Sequence, residues 1–387
     1  MPQTSRRVYL DYAATAPFDE RLFDVLKNAS WANANSLYTE GKEAASQLRD
    51  ARKRIATALG AHAPSEITFT SGGTESDNMA VKGLARQVSG AGKTHVVVSA
   101  IEHDAVLKAA DSLKGSGFKV TRVNPDSQGV VTATALEETL ARIESAGDAT
   151  CLVAVQAVNN ELGTIQPVRE LAQCAHDHGT LFVCDAVQAL GKTPIELDRS
   201  GVDACSFSAH KIGALKGCGM LYVRRGVRMP ALIHGGGQEA GLRSGTSNVM
   251  GALAFARAVE LAVFERENAW EHAAGLRTML LDGIECMNAA HTLKPTLAPD
   301  AACVPHIVSL LCDGLEGETL VLRLDNAGFA VSSGSACSSG SLDPSHVLTA
   351  IGVPKAKAFG SLRLSFGRDT AAADIESFLF ALPEVLR

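Results

Sequence analysis

The chain has 387 residues, 46% hydrophobic and 20% charged, and its 36 basic and 42 acidic side chains leave a net charge of −6. That balance offers no basic field to a phosphate backbone, so direct nucleic-acid binding is not expected, and no apolar run approaches the ~20 residues that span a bilayer. At roughly 100–200 residues per domain, the length predicts two or three domains.

The N-terminal run MPQTSRRVYLDYAATAP carries two arginines but no apolar stretch, and does not read as a secretory signal. From about residue 64 to 225 short β-rich runs alternate with helical patterns. EITFT, THVVVSA, FKVTRVN, CLVAVQAV, LFVCDAV, DACSFSA and GCGMLYVR read as strands in turn. Most are apolar without alternation, as expected of strands buried on both faces. Helical patterns fall between them, among them Glu75 to Arg86 and Ala133 to Ile143. The rhythm predicts an α/β fold, a mostly parallel sheet covered by helices. After Asn248 a long helical pattern runs through GALAFARAVELAVFERENAWEHAAGLRTMLLDGI, followed by fewer strands, including HIVSLLC and SLRLSFG. This second texture predicts a smaller α+β domain. The expected division is 15–255 for the large domain, with 1–14 and 256–387 in the small one.

Nine cysteines are scattered without a C-x-x-C pair, several inside apolar runs. A reducing, cytoplasmic setting fits that pattern better than a disulfide framework or a zinc site. One thiol differs from the rest. Cys337 lies in VSSGSACSSGS, a stretch with no bulky residue to pack over it. The stretch reads as an exposed loop carrying a sulfur atom, or as a plain linker that contains a cysteine.

Ligands of open α/β sheets bind beyond the carboxyl ends of the strands, so the residues that follow each strand matter most. In TFTSGGTESDN two glycines turn the chain into a helix opened by Thr74 and Glu75, an arrangement suited to a phosphate but also common as plain structure. LFVCDAVQALGK ends a strand on Asp185 with Gln188 three residues on; the carboxylate needs a cation, or is a cap or salt bridge. SFSAHKIG brings Lys211 after Ser208 and His210. A lysine near apolar strands is tuned for Schiff-base chemistry, while a lone surface lysine is the ordinary alternative. SAIEHDAVL adds His103 after a further strand. A phosphate cradle, an acid for a pyridinium nitrogen and an amine for an aldehyde are together what pyridoxal phosphate requires.

On these residues the sequence resembles the cysteine desulfurases, pyridoxal-phosphate enzymes of the fold-type I, class V aminotransferase group, of the long-loop type. The shared stretches run from VYLDYAATAP almost to the C-terminus and include TSGGTESDN, EHDAVL, VNNELGTIQP, CDAVQALGK, SAHK, GGGQEAGLRSGT, GSACSSGSLDPSHVL and SLRLSFG. The resemblance implies a seven-stranded, mostly parallel sheet and pyridoxal 5'-phosphate as cofactor. It implies that Lys211 holds the cofactor as a Schiff base and later moves the Cα proton. Asp185 would pair with the ring nitrogen, Gln188 with the phenolic oxygen, and His103 would stack over the ring and help move protons. Gly73, Thr74, Ser208 and His210 would bind the phosphate, and Thr246 would reach the phosphate in a second subunit, which implies a homodimer with shared sites. Asn160 and Arg363 would hold the carboxylate of L-cysteine.

The implied reaction converts L-cysteine to L-alanine, with sulfur passing to Cys337 as a persulfide for iron–sulfur cluster assembly or other sulfur-transfer pathways. No metal is expected as a catalytic requirement, although Cys337 would be the residue to contact a transferred iron–sulfur cluster. The expected partner is an iron–sulfur scaffold protein or another sulfur acceptor, and the end at Arg387 leaves little tail for docking it. Two stretches depart from the family pattern. NANSLYTEG has Tyr38 where a histidine is usual, and HKIGALKGCG lacks the usual Gly-Pro. Rival readings are a selenocysteine lyase or another class V enzyme, and a non-catalytic sulfur carrier or assembly subunit. The combination of Lys211, Asp185, His103, Arg363 and Cys337 weighs against the carrier.

Overall fold

The computed structural model describes residues 7–90, 92–287, 293–334 and 343–387. Its strands, in chain order, are β1 (Val8–Tyr9), β2 (Ile67–Thr70), β3 (His95–Ser99), β4 (Lys119–Val123), β5 (Thr150–Ala154), β6 (Leu181–Asp185), β7 (Ala204–Ser208), β8 (Gly219–Val223), β9 (Leu293–Pro295), β10 (Ile307–Cys312), β11 (Phe329–Ala330) and β12 (Ser361–Ser365). Seven of them form one sheet in the order β2-β8-β7-β6-β5-β3-β4. The pairs among β4, β3, β5, β6 and β7 are parallel, as the buried apolar runs predict. β8 runs antiparallel to both neighbours. Only a short 3₁₀ turn, Ala209–Ile212, and a tight loop join β7 to β8. That connection is too short for the crossover a parallel return needs.

Each face of the sheet carries its own helices. Gly73–Ser89 and Asp104–Leu113 cover one side through Met79, Leu84, Val106 and Ala110. Thr39–Ala58, Ala133–Ser145, Val168–Asp177 and Val249–Phe264 cover the other through Leu48, Leu140, Leu171 and Phe255. Interior strands are buried along their length apart from Leu181 at the start of β6, whereas edge strand β4 exposes Lys119 and Arg122.

The helical pattern after Asn248 is two helices, Val249–Phe264 and Arg266–Cys286. They serve different cores. The first packs on the large sheet, while Leu276, Leu280 and Ile284 of the second join a separate cluster with Val308, Leu362 and Phe378. One straight apolar stripe cannot face both, and the break falls at Glu265, whose carboxylate Arg21 holds. The second cluster is built on the antiparallel sheet β12-β10-β9 and the helices Gly317–Asn326 and Ala372–Val385. β1 pairs in parallel with β11, so the N-terminal strand is tied to this second unit before the chain crosses to the large sheet. Among the described residues, no helix is long and apolar enough to cross a membrane.

Candidate active site

A cavity of about 310 Å³ lies at the carboxyl ends of the large sheet's strands, closed from the other side by Ser332 and Arg363 of the second unit. All the site residues expected from sequence line it except Thr246 and Cys337. Thr246 is exposed in the loop before helix Val249–Phe264 and lines no part of this cavity. Cys337 lies outside the described residues.

One end of the cavity is a helix N-terminus. Gly72 gives helix Gly73–Ser89 no side-chain cap, so the first-turn N–H groups at Gly73 and Thr74 remain for a ligand. A methyl group at position 73 would stand 2.9 Å from Val187 Cγ2, so glycine is what lets this terminus pack against the turn after β6 without displacing Val187. Ser208 and His210 complete the rim. His210 Nδ1 lies 3.1 Å from Thr15 Oγ1. Burial, and then the charge of Lys211, pull its pKa down to about 4, which makes it a neutral hydrogen-bond partner near neutral pH. The loop is braced by Glu75, which accepts from the Ser71 N–H at 2.8 Å and from Arg243 Nε at 2.8 Å. On its outer side the same cradle opens into a surface hollow lined by Thr15, Ser71 and Lys216.

Acids gather at the opposite end. Asp185, at the end of β6, accepts the Val187 N–H at 2.8 Å. Burial raises its pKa despite the nearby charges of His103 and Lys211. Asp77 and Glu102 are buried beside it, and both are raised well above the usual carboxylate range, first by desolvation. Asp185 adds its repulsion to both. Asp77 Oδ1 and Glu102 Oε2 have no hydrogen-bond partner among the described residues. Of the three acids, Asp185 is the one whose ionised form the nearby His103 and Lys211 favour, so it is the carboxylate best placed to pair with a cation across the cavity.

Lys211 enters from the turn after β7 and donates from Nζ to the carbonyls of Ala13 at 2.6 Å and Ala14 at 2.8 Å. His103 caps helix Asp104–Leu113 by accepting the Ala105 N–H at Nδ1, 3.1 Å away. With Nδ1 an acceptor, the neutral ring carries its proton on Nε2. Gln188 donates to the Ala13 carbonyl at 2.8 Å. Arg363, on β12, is buried and donates to Asp11 Oδ1 and to the Asn160 carbonyl, each at 2.8 Å. Its Nε has no partner among the described residues, so the guanidinium keeps donors for an anion.

Several lining groups were not singled out by sequence reasoning. Asp77 lies one turn after Gly73 on the same helix face, and Gln156 follows the end of β5; those positions were available signals. The Ala13 and Ala14 carbonyls carry no side-chain signature at all.

The site therefore presents an amine, a buried acid awaiting a cation, an imidazole held by a helix cap and an anion cradle. Those donors fit pyridoxal 5'-phosphate: Lys211 for the aldehyde, Asp185 for the ring nitrogen, and the Gly73 terminus with Ser208 and His210 for the phosphate. The fold and site define a pyridoxal-phosphate enzyme. The family model "Aminotransferase class-V" matches residues 8–378, and the chain belongs to that family. It is 40% identical over 384 residues to "Cysteine desulfurase IscS" of Dictyoglomus turgidum, an alignment covering 98% of this chain and 95% of the relative. A protein of the same name from Methanosarcina thermophila is 40% identical over 387 residues, covering 99% and 93%. Among solved structures, one titled "NIFS-LIKE PROTEIN" superposes with a TM-score of 0.89 at 38% identity, over 98% of this chain and 99% of its own. Another, "SspA in complex with cysteine", does so at 0.79 and 34% identity, over 93% and 99%.

Proposed function

We propose that this enzyme is a cysteine desulfurase that converts L-cysteine to L-alanine and supplies the sulfur for iron–sulfur cluster assembly. The observation that carries the reading is the convergence of Lys211, Asp185, His103 and the Gly73 cradle on one cavity, with Arg363 at its far wall. The full-length likeness to proteins named cysteine desulfurase supports the same substrate. Pyridoxal 5'-phosphate, when bound, supplies an electron sink for negative charge at the substrate's Cα.

Lys211 is the group that attaches this cofactor and afterwards takes and returns the proton at Cα. Asp185 would pair with the ring nitrogen and favour its protonated form, and His103 would stand against the ring with its Nε2 proton available for transfer. Gln188 would donate to the phenolic oxygen. Asn160 and Arg363 orient the substrate by its carboxylate. The nucleophile is the Cys337 thiolate. Its sulfur bonds to the sulfur of the substrate as the substrate's Cβ–S bond breaks; the electron pair of that bond stays with Cβ, which takes up a proton, leaving a persulfide on Cys337 and alanine to depart. The two described residues that flank its segment, Gly334 and Asp343, line a cavity that also touches His103 and Asn160, which supports this role.

A second copy of the chain completes the site. Thr246 of one subunit reaches the phosphate of the other, an arrangement supported by the outward opening of the cradle and by the exposure of Trp31, Leu37, Ile233 and Met250. The described cysteines are all free thiols, in keeping with a reducing cytoplasm. Two variants test the assignment. Lys211→Ala is expected to purify without the cofactor's visible absorbance, and an unchanged colour would overturn the cofactor reading. Cys337→Ser is expected to keep the colour and release no sulfide from L-cysteine in the presence of a reductant; full release would end the persulfide reading.

A further inference from the structure

Lys192 has no part in the chemistry above, yet its ammonium sits directly behind the cofactor pocket. The chain leaves β6 through a compact turn in which the Leu190 N–H bonds the Ala186 carbonyl and the Lys192 N–H bonds the Ala189 carbonyl. Gly191 takes a left-handed φ of +74°, and a Cβ there would stand 2.9 Å from Ala262 Cβ. This turn folds Lys192 back beneath Gln188. Its Nζ donates to the Gln188 carbonyl at 3.1 Å and to the Gln188 side-chain oxygen at 3.3 Å.

The far side of Lys192 faces a second, smaller cavity, also lined by Lys211 and His306. The carboxylates around that cavity are committed elsewhere: Asp19 to Arg21 and Arg368, Glu265 to Arg21, Asp369 to Arg368. Tyr12, the remaining titratable group in its wall, is raised by burial. Among the described residues Lys192 makes no salt bridge. A poorly solvated lysine without a counter-charge is costly, and the fold keeps this one against an amide of the cofactor site.

We propose that Lys192 is a positioning residue that acts through Gln188. Its hydrogen bond holds the amide oxygen on the far side, so that the amide nitrogen donates toward Ala13 and the pocket. The opposite end of the amide agrees with this assignment, since Gln188 Nε2 already donates to the Ala13 carbonyl that Lys211 also uses. Burial, and then the charge of Lys211, lower Lys192 to about 7. Both its charged and its neutral forms keep an N–H to donate, so the amide stays oriented across the working pH range.

The inference rests on the pyridoxal-phosphate reading, and its test separates the two. An oriented Gln188 N–H stabilises negative charge on the cofactor's phenolic oxygen, which eases loss of the adjacent proton. In the cofactor-loaded protein, Lys192→Met should move the pH midpoint of the visible absorption band upward by roughly one unit and weaken cofactor retention about tenfold. Lys192→Arg should hold the wild-type midpoint. In a Gln188→Ala background the Lys192→Met shift should collapse, the signature of action through that amide. Lys192→Gln, too short to reach the amide, serves the same comparison if the Met variant does not fold. A neutral variant with the wild-type midpoint and retention, or the full shift persisting without Gln188, would overturn the proposal while leaving the cofactor reading intact. A wild type that takes up no cofactor would overturn both.

Discussion

Glu161 is buried between Ser345, whose hydroxyl donates to its Oε2 at 2.5 Å, and Gly334, where a Cβ would come within 2.9 Å of the same oxygen. Burial lifts its pKa from 4.5 to about 7, against the lowering effect of Ser345 and Arg363. The folded protein thus holds this proton more tightly than the unfolded chain does. The associated stability is fully present at acid pH, below the unfolded value, and is lost as pH rises through about 7. Glu161→Gln keeps the neutral shape without the titration. Denaturant melts should show the variant losing less stability than wild type between pH 5 and 8, by up to about 3 kcal/mol. Parallel curves for the two proteins would mean that Glu161 is ionised throughout. Residues of this kind explain what the sequence left hidden. Lys211, Asp185 and His103 are legible because each follows a strand and carries distinctive chemistry. Glu161, Glu102 and Asp77 owe their character to burial, which no local pattern records.

At the scale of elements, most of the seven central strands were legible as apolar runs because strands covered on both faces have no polar side to alternate, whereas edge strand β4 keeps Lys119 and Arg122 exposed. The antiparallel direction of β8 was not, since it depends on the length of a connection rather than on the strand itself. The break at Glu265 was hidden too. No glycine or proline marks it, and it exists because two cores lie in different directions. Gly73, where β2 turns into helix Gly73–Ser89, sits close against Val187. Gly73→Ala should force Val187 aside at a cost of about 1–3 kcal/mol and loosen the anion cradle. Equilibrium dialysis should then show weaker retention of pyridoxal phosphate with little change in far-ultraviolet circular dichroism. Unaltered retention would show that the helix terminus does not hold the phosphate.

For the whole molecule, the site exists because two units with separate cores meet over one cavity. The large sheet contributes Lys211, Asp185 and Gln188 from its strand ends, and the smaller unit contributes Arg363 and Ser332. The N-terminal segment joins them, with β1 tied to β11, Asp11 bound to Arg363, and the Ala13 carbonyl bound to Lys211. One N-terminal stretch therefore contacts both residues proposed to orient the substrate and to attach the cofactor, by the Asp11 carboxylate and the Ala13 carbonyl. The central claim is that this assembly moves sulfur out of L-cysteine and leaves alanine. The most direct measurement is to incubate the cofactor-loaded wild type with L-cysteine and a thiol reductant, then quantify both products. The account predicts alanine and sulfide in equal amounts over many turnovers. Alanine without sulfide, or sulfide accompanied by pyruvate and ammonia in place of alanine, would contradict it.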